Sequence, residues 1–168
     1  MQPIAQVQRE LRVDGIGQLA IGVFGLAAAL AIGVSPERAL LPFAVAGLAM
    51  AGVQFAIMNR WLRREIDSAG PPATGALLEP SKLTMRRSLI KLALFFGVLV
   101  LMVPFGLSGV FGGVVVGIGA IDFATSVWLG RQEQDRGVTV YREVGASPFS
   151  GGRRTIYTRP TSASTLET

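Results

Sequence analysis

The sequence predicts an all-α membrane protein: four transmembrane helices arranged as two hairpins, preceded by a short amphipathic segment and followed by an extended or disordered polar tail. Three observations predict it. Half of the 168 residues are hydrophobic and only 16% are charged, against about a quarter in an ordinary soluble domain. The charges are segregated: Gly15 to Val34 and Ala39 to Met58 hold none, and Ser88 to Gly130 holds only Lys91 and Asp122. The basic residues gather at the chain ends and in one middle loop. Solvation by lipid imposes this kind of segregation.

Residues 1–14 mix Arg9, Glu10, Arg12 and Asp14 with Ile4, Val7 and Leu11 at helical spacing. Two readings stand, a short amphipathic helix on the membrane surface and a frayed polar end. The segment lacks the basic start, apolar core and small-residue cleavage site of a signal peptide. A crossing helix needs roughly 20 apolar residues, and residues 15–34 and 39–58 each supply them. Ser35-Pro36-Glu37-Arg38 between them reads as a tight turn, with Ser35 as a cap and Pro36 in the first turn of the second helix. Residues 59–87 form the middle loop. Arg60 to Ile66 continue the second helix beyond the membrane, and Asp67 to Pro72 end it. The apolar run from Ser88 to Gly130 is long enough for two helices, about 88–105 and 109–130, with Pro104 to Gly109 as the turn. A soluble bundle would need a polar face on each helix, and these have none. The tail, residues 131–168, is rich in Gly, Ser, Thr, Pro and Arg and cannot build a core by itself. Val138 to Val144 alternates like a strand able to extend a partner's sheet.

The middle loop carries Arg60, Arg63, Arg64, Lys82, Arg86 and Arg87, whereas the outer hairpins carry only Arg38. The positive-inside rule then places both termini and this loop in the cytoplasm, and Trp61 and Trp128 fall at the inner helix ends. The cluster of Arg60, Arg63, Arg64, Arg86 and Arg87 either fixes topology alone or also attracts anionic lipid head groups. The net charge of +5 comes from fourteen Arg and two Lys against eleven acids, and reads as orientation rather than nucleic-acid binding.

The chain has neither His nor Cys. Disulfides, imidazole metal ligands and His-based acid–base catalysis are therefore excluded. With no clustered carboxylates or phosphate-binding loop either, the sequence predicts a non-enzyme without cofactor or metal. Ionisable groups inside apolar segments are costly and usually face a partner, a cavity or water. Counted outward from the turn at Ser108, Lys91 lies opposite about Thr125 and Asp122 opposite about Leu94. An interhelical Lys91–Asp122 ion pair is one expectation. Snorkelling of Lys91 with a partner-facing Asp122 is a second, and an ion or proton site at Asp122 is a third. Gly109-x-x-x-Gly113-x-x-x-Gly117 makes a smooth stripe on the fourth helix, and Gly47-x-x-x-Ala51 a shorter one on the second. Both suit close packing inside the bundle, docking of another subunit, or self-association.

Further motifs accompany the two hairpins and the basic loop. Gly47-x-x-x-Ala51-x-x-Gln54 is followed by Asn59-Arg60, Arg86-Arg87 opens the third helix, and Pro104-x-Gly106-x-x-Gly109-x-x-Gly112 crosses the outer turn. Over roughly Ile21 to Gly130 this arrangement resembles the ATP synthase protein I family, small four-helix bacterial membrane proteins associated with the rotary ATP synthase. The resemblance implies a bacterial inner membrane and a non-catalytic role in assembling a larger complex, the ring of proteolipid subunits, with cation handling alongside. Asp122 and the long tail lie outside the family's pattern. The alternative is a small cation or proton transporter or channel that uses Asp122.

Overall fold

The computed structural model describes residues 4–71, 80–143 and 156–160. In chain order the elements are strand β1 (Ile4–Gln6), helix α1 (Val7–Ala31), α2 (Pro36–Asp67), α3 (Ser81–Met102), a 3-10 turn (Val103–Phe105), α4 (Ser108–Arg136), and strands β2 (Val138–Glu143) and β3 (Ile156–Pro160). Four helices are long and apolar enough to cross a membrane: Val7–Ala31, Pro36–Met58, Lys82–Phe105 and Ser108–Arg136. Helices suit lipid because every backbone polar group is satisfied within the segment.

The connections follow turn chemistry. Pro36 opens α2, where its missing N–H costs nothing, but the Ser35 side chain makes no capping bond. At the second hairpin the chain turns through Gly106, whose φ of +69° suits a residue without Cβ. Gly137, at φ +62°, ends α4 in the same way and redirects the chain into β2.

α1 and α4 form the central pair, antiparallel, with α3 against α1 and α2 against the other side of α4. Small residues set this order. A Cβ on Gly15 would sit 2.9 Å from the Gly119 carbonyl oxygen, one on Gly25 would sit 2.8 Å from that of Ser108, and one on Gly112 would sit 2.6 Å from that of Gly22. The second small face of α4 meets α2: Cβ atoms on Gly113 and Gly117 would clash with the carbonyl oxygens of Phe43 and Gly47. Without an aqueous hydrophobic effect, such backbone-to-backbone approach is what drives helices together in lipid.

Both chain ends depart from expectation. Residues 4–14 form neither a surface helix nor a frayed end. Val7 starts the first of the four long apolar helices itself, and Ile4 to Gln6 pair antiparallel with β2, Ile4 opposite Glu143 and Gln6 opposite Tyr141. The beginning of the tail is ordered, part helix and part extended strand. α4 runs on to Arg136, and β2 also pairs antiparallel with β3, Val138 opposite Pro160. The alternation at Val138 to Glu143 therefore finds its strand partners within the same chain, in the order β1-β2-β3. Gly70, just after α2, adds a parallel bridge to Tyr157 and accepts the Thr158 N–H at 3.0 Å. Residues 144–155 and 161–168 of the expected tail lie outside the described residues. α3 starts seven positions before the expected Ser88, at Ser81, which shortens the middle loop.

The sheet seats on the end of the bundle that bears the termini. Val7, Leu11, Leu62, Ile66, Leu129, Val140 and Ile156 form a buried apolar cluster there, with Met58, Ala69 and Trp128 packed against it. Burying a side chain of this size contributes about 1.5–3 kcal/mol, so the cluster couples α1, α2, α4 and the two later strands.

Candidate functional site

Just inside this cluster, toward the hairpin end, lies a network of polar side chains. α1 builds one wall. Glu10, Asp14 and Gln18 recur every four residues and so share a face, and each is at most 4% exposed. α3 delivers Lys91, whose ammonium pairs with the Asp14 carboxylate and lies 3.7 Å from Glu10 Oε1. β2 delivers Arg142 from the other side. Its Nε donates to Glu10 Oε2 at 3.1 Å and its Nη2 to Glu10 Oε1, a two-pronged guanidinium–carboxylate pair. Glu10 is thus shared between a cation of the bundle and a cation of the sheet.

α4 and α2 complete the ring. Asp122 is 7% exposed and accepts a hydrogen bond from Gln54 Nε2 at 3.3 Å. It lies within electrostatic reach of Asp14, Lys91 and Arg142. One turn on, the Ser126 hydroxyl donates to the Phe123 carbonyl at 2.7 Å. Lower on α4, buried Glu133 accepts the Val140 backbone N–H at 2.7 Å, which fixes β2 to the helix it follows. All four helices and the sheet therefore contribute polar side chains to this layer, in bonded groups: Glu10, Asp14, Lys91 and Arg142 in one, and Gln54 with Asp122 in another.

The expected Lys91–Asp122 ion pair does not form. Lys91 binds Asp14 and Glu10, and Asp122 binds Gln54. Counting register outward from the turn presumes that α3 and α4 pack on each other along their length. Instead α3 leans on α1: a Cβ on Gly25 would lie 2.6 Å from Leu99 Cδ1, and the Phe24 and Phe96 rings stand 5.6 Å apart. That register brings Lys91 level with Asp14. The network's other members, Glu10, Asp14, Gln18, Gln54 and Arg142, are absent from the expected site. Only the four-residue spacing of Glu10, Asp14 and Gln18 signalled any of them, and it lies across the assumed boundary between a surface segment and the first apolar run; nothing signalled Arg142.

The glycine stripe is covered from within the chain. Gly113 and Gly117 face Phe43, Gly47 and Ala51 of α2, and a Cβ on Gly109 would lie 3.5 Å from Ala29 Cβ. The basic residues do not gather into a pocket: Arg60, Arg64 and Arg86 are exposed and Arg87 is half-buried, while the Arg63 side chain lies outside the described residues. An open, largely apolar cavity of about 200 Å³ lies between α2 and α4, lined by Phe55, Met58, Leu62, Ile121 and Trp128 among others. Among the described residues no three His, Cys, Asp or Glu side chains converge on a metal-sized site. Chemically, then, the layer holds charge and orders helices. No protein-family model, curated protein or solved structure matches the chain.

Proposed function

We propose that this protein is a non-catalytic accessory or assembly subunit of a larger membrane complex, held in a bacterial inner membrane with both termini cytoplasmic. One observation carries the reading. Small residues lie exposed on outward faces of two flanking helices, among the described residues. On α2 these are Ala49, Gly52 and Ala56, and on α3 Ala93 and Gly97. All five are exposed, and a Cβ on Gly52 or Gly97 would find no atom within 4 Å. The inward glycines of α1 and α4 touch backbone, so the same chemistry facing outward supports docking of another subunit's helix. The resemblance over residues 21–130 names the rotary ATP synthase as the first complex to test.

Purification of the full chain in mild detergent tests this. A stoichiometric large complex is expected, and Gly52→Leu or Gly97→Leu should release the protein from it without lowering the melting temperature of the isolated protein. The transporter reading makes a different prediction. A lone oligomer that moves cations in liposomes, and stops doing so with Asp122→Asn, would replace the accessory role.

A further inference from the structure

Helices α2 and α4 meet closely at one end and leave a gap at the other. On the hairpin side Gly113 and Gly117 of α4 face the backbone of Phe43 and Gly47. Toward the termini the facing residues are larger. Phe55, Met58 and Leu62 of α2, with Ile121, Ala124 and Trp128 of α4, line the open cavity of about 200 Å³. The Gln54–Asp122 hydrogen bond joins the two helices at its hairpin end. Met58 and Trp128 pack on the buried cluster of Leu62, Ile66 and Leu129 at its other end. From Gln54 to Leu62 the gap runs along about 12 Å of helix. Phe55 is 55% exposed and Ala124 is exposed, so the way in is sideways, from around the bundle.

Size limits what can enter. A helix is about 10 Å across, too wide for a space of this volume. An apolar cavity of about 150 Å³ takes a benzene ring, and one slightly larger takes a stretch of acyl chain. Charge selects what the chain is attached to. Arg131 lies three positions after Trp128 and seven after Ala124, so it shares their side of α4 one turn beyond the cavity. It is exposed, and among the described residues no carboxylate pairs with it, whereas Arg136 is engaged by Asp67. Arg60 is exposed too, but it stands two positions from Met58, about 200° around α2, and is turned away from the cavity.

We propose that the cleft between α2 and α4 binds one anionic phospholipid of the leaflet nearer the termini. An acyl chain fills the cavity, and Arg131 meets a head group of net negative charge. Trp128 stands between the two, at the level where amphipathic rings sit in a bilayer. Filling the gap supplies dispersion contacts that the lining lacks, and a basic side chain at the head-group level attracts anionic lipid. The site rests on the placement of the chain in a membrane and not on its being an accessory subunit.

The test uses the full-length protein in nonionic detergent. Thermal unfolding is followed as phosphatidylglycerol or phosphatidylcholine with the same acyl chains is added. A ligand that binds only the folded state raises the melting temperature with its concentration. A saturable rise, several degrees larger for phosphatidylglycerol, is expected. Arg131→Gln should bring the two lipids level, and Arg60→Gln should leave their difference intact. Ala124→Trp, which puts a large ring at the mouth, should abolish the response to both. Equal responses of the unmodified protein overturn the proposal. So does a preference that survives Arg131→Gln or falls equally with Arg60→Gln, since either assigns it to the basic surface as a whole. A response that survives Ala124→Trp places the chain elsewhere and also overturns it. Should the variants fail to fold, phosphatidylglycerol with a photoactivatable acyl chain decides on the unmodified protein. Crosslinks concentrated in residues 55–62 and 121–128 support the site, and any other distribution removes it.

Discussion

Glu10 is held from two sides, by Lys91 of α3 and Arg142 of β2, while among the described residues Asp14 pairs with Lys91 alone. Removing the lysine ammonium leaves Asp14 buried without its cation. Lys91→Met should destabilise the protein by about 2 kcal/mol, below the full cost of breaking a buried pair because over a third of the Lys91 side chain is exposed. A double-mutant cycle with Asp14→Asn, read by denaturation in detergent, should recover most of that loss as coupling energy. The charge swap Lys91→Asp with Asp122→Lys should do no better than either single change. The place of Lys91 as a lone cation within an apolar helix was legible in the sequence, but its partner was not. A lysine stem reaches several neighbouring positions, and which carboxylate lies there depends on which helix is adjacent.

At the scale of elements, the glycines divide by what they touch. Gly113 faces the Phe43 backbone of α2, whereas Gly52 faces open space. Alanine at Gly113 forces α2 and α4 apart and should cost about 2 kcal/mol or more, in the range of overpacked cores. Alanine at Gly52 meets nothing and restores helix propensity, so the isolated protein should be unchanged or gain at most about 1 kcal/mol. Denaturant titration of both variants in one detergent reads the opposite signs directly. The stripe of Gly109, Gly113 and Gly117 was visible as a pattern. The α1–α4 contact through Gly15, Gly22, Gly25, Gly112 and Gly119 was not singled out, because its spacing mixes steps of three and seven residues instead of a plain four-residue repeat.

Across the whole molecule, the two chain ends close the structure. β1 and β2 join residues 4–6 to residues 141–143, and the Arg142–Glu10 pair seals the same junction. Truncation after Gly137 removes Val140 and Ile156 from the apolar cluster and Arg142 from Glu10. The truncated protein should still insert, should melt at a markedly lower temperature, and should become cleavable by protease near Leu11 in sealed vesicles whose inner face is exposed. What the sequence determined alone was the number and approximate position of the long apolar helices, the turns at Pro36 and Gly106, and the absence of His and Cys. Those are local properties: transfer into lipid depends on runs of consecutive residues, and turns on one or two. The tertiary structure decided the order of the helices, the partner of every buried charge, and the folding of both ends into one sheet. These depend on surfaces brought together from distant parts of the chain, where backbones meet only if both faces are small and charges pair only with what that meeting places beside them.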